Sequence, residues 1–284
     1  MIKQIKWNGY VLKFDRPLIM GILNVTPDSF SDGGKFFTPS DAVKHGERMA
    51  EEGADIIDIG GESTRPYAKP ISAEDEISRV VPVIKGLRKK ISVPISIDTY
   101  KSKVAREALD AGANIINDIT ALRMDNRMGQ VAAKYKVPVV LMHMKGYPQT
   151  MQENPRYKDV VSQIISFLRR QIRNAKREGI EENKIIVDPG IGFGKTVRHN
   201  LEIMGRLEEF KVLKSLLLIG PSRKAFIGKI LKLDVSQRLE GTAAAVAICV
   251  WNGANIIRAH DVKQMRQVVN MVQAIKKAKY VKTD

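Results

Sequence analysis

The sequence predicts a single α/β domain, a (β/α)8 TIM barrel spanning residues 1–284 with a short β-hairpin at its start. Three observations predict it. Eight short apolar runs rich in Val and Ile recur along the chain, each continuous rather than alternating, as expected of strands buried on both faces. Longer stretches with apolar residues at helical spacing separate them. The phrase Gly-Ala-(Asp/Asn)-Ile-Ile recurs at 53–57, 112–116 and 253–257, each time joining the end of a helical stretch to the next apolar run. Eight strand-helix units in a chain of 284 residues suit this barrel. A doubly wound sheet would carry a glycine-rich dinucleotide fingerprint after its first strand, and none follows.

The elements can be justified in order. Lys6-Trp-Asn-Gly-Tyr-Val-Leu-Lys13 sets Asn8-Gly9 between two short apolar pieces, a hairpin signal. Residues 1–16 are therefore expected to cap the N-terminal mouth of the barrel. Strands are expected at 18–25, 55–60, 94–99, 114–120, 138–144, 184–190, 215–222 and 255–261. Helices are expected at 40–53, 73–89, 101–112, 157–179 and 198–210. Several start after a Ser, Thr or Asp cap, and Gly53, Gly112 and Gly253 close others. The run 241–251 is small and apolar throughout, which suits an inner helix or a face for a second copy of the chain.

Composition excludes some classes of function. No apolar run approaches the roughly 20 residues that span a bilayer, and the first residues lack a signal-peptide apolar region, so no membrane role is expected. The single cysteine, Cys249, excludes an intramolecular disulfide and suits a reducing, cytoplasmic setting. It lies among small apolar residues and reads as core. The net charge of +16 gathers in helical stretches such as Arg169-Arg170-Gln-Ile-Arg173 and Lys276-Lys277, without the interleaved aromatics of a single-strand platform. Solvated helix faces, with some steering of an anionic small substrate, account for it better than nucleic acid does.

In such a barrel, chemistry belongs at the C-terminal ends of the strands. Those ends carry Asn24, Glu62 to Arg65, Asp98-Thr99, Asn117-Asp118, His143, Asp188, Ser222 to Lys224, Arg258 and His260. Capping could explain Thr99 or Asp118, but not a rim on which Asp98, Asp188, Lys224 and Arg258 converge. Buried charges are costly unless they are paired or meet a ligand. Asp98, Asn117 and Asp188 suit a flat heterocycle that presents N–H and NH2 donors, because a carboxylate takes two parallel hydrogen bonds from such an edge. Arg65, Arg258, His260 and Lys224, read as cations, suit phosphate oxygens. The first loop, after Asn24, holds Asp28, Phe30, Asp32 and Gly33-Gly34, a mixture that suits a lid. Asn24 and a loop aspartate could complete the shell of a hydrated Mg2+. The Gly190, Gly192, Gly194 spacing is not that of a nucleotide P-loop; it allows close backbone approach, with Phe193 as a stacking or packing surface. Ser222 reads both as a helix cap and as part of an anion site. His143 divides between pocket lining and packing, His45 and His199 read as solvated, and Met142, Met144 and Met151 read as packing.

These motifs, in order, resemble those of the dihydropteroate synthases over nearly the whole chain. The resemblance rests on residues 21–30 (Gly-Ile-Leu-Asn-Val-Thr-Pro-Asp-Ser-Phe), 58–66 (Asp-Ile-Gly-Gly-Glu-Ser-Thr-Arg-Pro), 96–100 (Ser-Ile-Asp-Thr-Tyr), Asn117-Asp118, 188–195 (Asp-Pro-Gly-Ile-Gly-Phe-Gly-Lys), Ser222-Arg-Lys224 and Arg258-Ala-His-Asp261. It implies condensation of a dihydropterin methyl diphosphate with p-aminobenzoate in folate biosynthesis, with Mg2+ as cofactor and a homodimeric, cytoplasmic enzyme. It implies pterin contacts at Asp98, Asn117, Asp188 and Lys224, and diphosphate contacts at Asn24, Thr64, Arg65, Arg258 and His260. The aminobenzoate side falls to Phe30, Thr64, Pro66, Phe193 and Ser222, the metal to Asn24, and the catalytic roles to Arg258, His260, Lys224 and Asp98. Three departures stand out: Tyr67 where many relatives place glycine, no glycine in the segment after Asn117, and Ala259 in place of the commoner valine. Two alternatives share the pterin contacts. One is the same chemistry on a modified aminobenzene, which Tyr67 keeps open. The other, a methyltetrahydrofolate:corrinoid methyltransferase-like barrel, needs neither the Arg/His pair nor the first loop.

Overall fold

The structure, a computed structural model, describes residues 2–26, 38–65 and 68–278. Eight parallel strands close into a barrel: β3 (Leu18–Asn24), β4 (Ile56–Gly60), β5 (Ile95–Asp98), β6 (Ile115–Asp118), β7 (Val139–Met142), β8 (Ile185–Asp188), β9 (Leu216–Ile219) and β10 (Ile256–Ala259), with β10 pairing back to β3. Nearly every residue of these strands is buried, which is why they read as unbroken apolar runs. Around them lie α1 (Pro39–Glu51), α2 (Ala73–Arg88), α3 (Ser102–Asp110), α4 (Met128–Tyr135), α5 (Val160–Arg177), α6 (Val197–Gly205), α7 (Ala225–Leu231), α8 (Leu239–Trp251) and α9 (Val262–Ala278).

All but one of the expected strands ran too long at their C-terminal ends, the exception being 55–60. Ser222 lies in a loop beyond Ile219, and His143 lies just beyond Met142. The helix expected at 198–210 ends at Gly205 and gives way to a 3-10 turn over Leu207–Leu213. The helix expected from residue 157 starts at Val160, since Asp159 caps it by accepting from Ser162 N at 2.9 Å.

The recurring Gly-Ala phrase is one helix stop used three times. Gly53, Gly112 and Gly253 take φ of 99, 114 and 101°, the left-handed region open to glycine. The following Ala54, Ala113 and Ala254 donate back to Met49, Ala108 and Cys249 carbonyls at 2.9, 2.9 and 3.0 Å. Each copy seals its helix and aims the chain into β4, β6 or β10.

The hairpin β1 (Gln4–Trp7) and β2 (Tyr10–Lys13) turns at Asn8 and Gly9, both left-handed, as Asn-Gly predicts. It lies across the N-terminal mouth. Ile5, Trp7 and Leu12 are buried, Trp7 Nε1 donates to Asn114 O at 2.9 Å, and Asn8 Nδ2 donates to Tyr135 O at 3.0 Å.

Candidate active site

At the C-terminal mouth four strands contribute one network. Arg258 on β10 donates from Nε to Asp58 Oδ2 and from Nη2 to Asp98 Oδ2, both at 2.6 Å. Asn117 Nδ2 on β6 donates to the same Asp58 oxygen at 3.0 Å. The ladder register explains the meeting, since Asn24 pairs with Gly60, Gly60 with Asp98, and Asp98 with Asn117. Asp58 Oδ1 and Asp98 Oδ1 are buried and accept no hydrogen bond. Burial, reinforced by Asp58 and Glu76 and opposed by Arg258, pushes the Asp98 carboxyl above the usual range. Burial opposes the charge on Arg258, yet Asp58 and Asp98 outweigh it and hold the guanidinium protonated. Gly60 keeps a space here: a Cβ would sit 3.7 Å from Asn24 Oδ1 and 3.8 Å from Asp98 Oδ2.

A second group lies on β8 and the loop after β9. Asp188 Oδ1 accepts from Gly190 N at 2.7 Å, and burial pushes its carboxyl up to about 6. The Lys224 stem crosses Gly192, where a Cβ would stand 3.2 Å from Lys224 Cδ, and its Nζ lies 4.3 Å from the centre of the Phe193 ring. Burial, then Arg258 and to a smaller extent Arg65, lowers the Lys224 ammonium to about 8 against the opposing pull of Asp188 and Asp98. Phe193 is buried with Ile119, Met142, Met144 and Met151, so these methionines pack, as expected. The ring backs Lys224.

Ser222 was read as a possible cap, but α7 starts at Ala225 with Lys224 at the capping position and no side-chain cap. Ser222 Oγ instead accepts from His260 N at 3.2 Å and meets His260 Nδ1 at 3.0 Å. The hydroxyl that accepts that backbone N–H can either donate to Nδ1 or accept from it, so the contact fits both neutral tautomers of the ring. His260 is not the cation expected: burial, with Arg258 and Arg223 beside it, lowers its pKa to about 3. Arg223, at φ 54°, holds this turn through a bidentate pair to Asp261 at 3.0 and 2.5 Å.

The loop after β4 hangs on Glu62. Its carboxylate accepts from Tyr100 Oη at 2.8 Å, from Ile71 N at 3.4 Å and from Lys101, whose Nζ also meets Glu76 Oε2 at 2.7 Å. Thr64 is half-buried and Arg65 exposed beyond this clasp. Phe30 and Pro66, with Asp28, Asp32 and Tyr67, lie outside the described residues.

Asp118, as expected, serves the backbone. It accepts from Thr120 N at 2.7 Å and Leu122 N at 2.8 Å, holding Ala121 and Leu122 at φ 54 and 64° where the sequence lacks glycine. His143 is buried on Lys195, His199 caps α6 with Thr196, and His45 lies beside Arg48. Asp58, Glu62 and Lys195 had no assigned role in the sequence reading. For Asp58 the signal was a carboxylate within an otherwise apolar strand. Among the described residues no three His, Cys, Asp or Glu side chains gather to hold a metal, so a cation here would draw most of its oxygens from a ligand and water.

An eight-stranded parallel barrel with an amide, carboxylates and cations around its C-terminal mouth defines an enzyme-type site. The family model described as pterin binding enzyme matches residues 20–260. The dihydropteroate synthase of Clostridium beijerinckii is 49% identical over 262 residues, covering 92% of this chain and 95% of that one. Among solved structures, the Yersinia pestis dihydropteroate synthase, described in complex with a sulfonamide drug, superposes with a TM-score of 0.93 at 43% identity, covering 96% of this chain and 99% of that one. The Xanthomonas albilineans dihydropteroate synthase, described with 4-aminobenzoic acid, gives 0.91 at 42%, covering 97% and 99%. The chain belongs to the pterin-binding enzyme family, among its dihydropteroate synthases.

Proposed function

We propose that this chain condenses (7,8-dihydropterin-6-yl)methyl diphosphate with p-aminobenzoate, giving 7,8-dihydropteroate and pyrophosphate, as one cytoplasmic domain. The observation that carries the reading is the meeting of Asp98, Asn117 and Arg258 at the mouth, where the Asp98 and Arg258 side chains pair at 2.6 Å yet stay 10 and 17% exposed. Partly exposed polar groups on such a rim call for donors and acceptors from a ligand. The N–H and NH2 edge of a pterin supplies the donors.

In this reading Asp98, Asn117 and Asp188 take the pterin edge, and Lys224 takes an acceptor of the ring. Arg258 keeps Nη1 for the diphosphate after Asp58 and Asp98 engage its other nitrogens. Neutral His260, in its Nε2-protonated tautomer, donates from that nitrogen, while Thr64 and Arg65 close on the phosphates from the second loop. Asn24 offers one amide oxygen to a Mg2+ that, when bound, neutralises charge on the leaving diphosphate. Ser222, Phe30, Thr64, Pro66 and Phe193 form the aminobenzoate side, with the Phe193 ring also lying under Lys224.

No covalent nucleophile is needed, because diphosphate is a good leaving group. The cations stabilise the negative charge that develops on it. The electron-rich pterin shares the positive charge on its methylene carbon, and the aminobenzoate amine, held close, attacks that carbon. The new ammonium then gives up a proton, which the released diphosphate or solvent takes.

A pyrophosphate-release assay with the dihydropterin diphosphate, Mg2+ and p-aminobenzoate tests this, run also without acceptor and without Mg2+. Release that needs both and yields dihydropteroate is the expected result. Pterin binding without acceptor-dependent product would move the acceptor to a modified aminobenzene.

We also propose a homodimer. Ile248 on α8 and Met271 and Ile275 on its neighbour α9 are 51, 62 and 47% exposed, while Thr242, Val246, Cys249 and Val250 on α8 are buried. Such a face suits a second copy of the chain. Light scattering on the purified protein tests it.

A further inference from the structure

Lys195 is a buried amine that the proposed reaction does not use. It closes the glycine-rich loop after β8 and is 3% exposed. Its Nζ lies 3.0 Å from His143 Nδ1, 3.3 Å from His143 O and 2.9 Å from Phe193 O. Three acceptors match the three protons of an ammonium. None of them is a carboxylate; Asp188 acts on the amine only through space, and burial lowers it to about 7.

The surroundings explain why a charge is tolerated there. The loop lies directly on the chain that leaves β7. A Cβ on Gly190 would stand 2.1 Å from His143 O, and one on Gly194 would stand 2.6 Å from Lys145 O. Both glycines are left-handed, at φ 72 and 64°. Two backbones pressed together leave carbonyls facing one seam, and Lys195 satisfies one from each side. Other ties hold neighbouring points: Asn200 Oδ1 accepts from Gly192 N at 2.8 Å, and Tyr157 Oη donates to Gly194 O at 2.9 Å. Lys195 is the tie that reaches the Phe193 main chain, and the Phe193 ring in turn lies beneath Lys224.

We propose that Lys195 is a positioning residue for the pterin pocket, clamping the Phe193 main chain to His143 so that the ring gives Lys224 a fixed floor. The inference rests on reading that pocket as the pterin site. Lys195→Met keeps length but removes all three donors. We expect it to weaken binding of 6-hydroxymethylpterin, measured by calorimetry, at least tenfold. KM for the dihydropterin diphosphate should rise in parallel. His143→Phe, which removes one acceptor, should move the same quantities in the same direction by less, and it carries the test if Lys195→Met does not fold. Because the effect runs through Phe193, Lys195→Met added to Phe193→Ala should cost little more than Phe193→Ala alone. Failure of the parent protein to bind the pterin would overturn the pocket reading and this proposal together. Parent binding that a folded Lys195→Met or His143→Phe retains, or fully additive losses, would overturn the proposal alone.

Discussion

Asp55 lies just before β4 and Asp58 within it, and their surroundings differ in kind. Asp55, at the N-terminal mouth, has both oxygens engaged: Arg16 donates at 2.8 and 3.1 Å, Ile19 N at 2.7 Å, and Arg266 also donates. Asp58, at the other mouth, shares one oxygen between Arg258 and Asn117 and leaves the other bare. The mouths as wholes repeat the contrast. Below, the hairpin covers the barrel, and Arg88 donates to Tyr10 Oη and to Asn114 Oδ1, each at 3.1 Å. Above, Asp98, Asp188, Lys224 and His260 are all shifted by burial away from their charged forms. One end is closed with its partners supplied by the chain. The other leaves Asn24, Asp98 and Arg258 partly exposed even where the chain pairs them.

That contrast can be broken most strongly at Arg258. Arg258→Ala should lower kcat/KM by about 100- to 1000-fold, measured by pyrophosphate release. It should also cost about 3–5 kcal/mol in a denaturant titration, because Asp58 and Asp98 lose their shared cation. At the lower mouth, Trp7→Ala should cost about 3–5 kcal/mol of stability by the same titration, yet leave both KM values unchanged in the folded enzyme. A rise in either KM would show that the mouths are coupled.

A pH titration sharpens the comparison with a smaller effect. Asp188 must be a carboxylate to accept two donors, and its pKa is raised to about 6. As pH falls, first the Asp98 carboxyl, raised to about 7, and then that of Asp188 take protons, so pterin affinity should begin to drop below 7 and steepen below 6, by up to about tenfold per unit for each group. His260, lowered to about 3, stays neutral throughout and adds nothing. Calorimetry between pH 8 and 5 reads the drop, and Asp188→Asn should bind weakly with a flatter profile. The smallest effect belongs to the strained turn: Ala121→Gly, at φ 54°, should change stability by no more than about 1 kcal/mol in thermal unfolding.

Much of the barrel was legible because its strands are apolar throughout and its helices share one glycine stop. Strand ends were legible only as regions, since hydrophobic pattern does not say where ladder pairing yields to a side chain turning inward. Most rim residues were visible as polar groups after apolar runs. Their partners were not: Arg258 and Asp58 are 200 residues apart in the chain, and no periodicity links them. Asp58 itself is hidden by a reading that looks for chemistry after a strand and not within it. The charge of His260 was misread because burial, which decides it, is a property of the fold.

Cys249 has a practical consequence. It is fully buried on α8, and burial pushes its thiol up to about 12, so it offers reagents almost no thiolate at neutral pH. The natural protein is therefore close to a silent background for thiol labelling. A cysteine introduced at exposed Arg65 would be the principal reactive sulfur, and a dye attached there would report on the second loop without removing a native residue elsewhere.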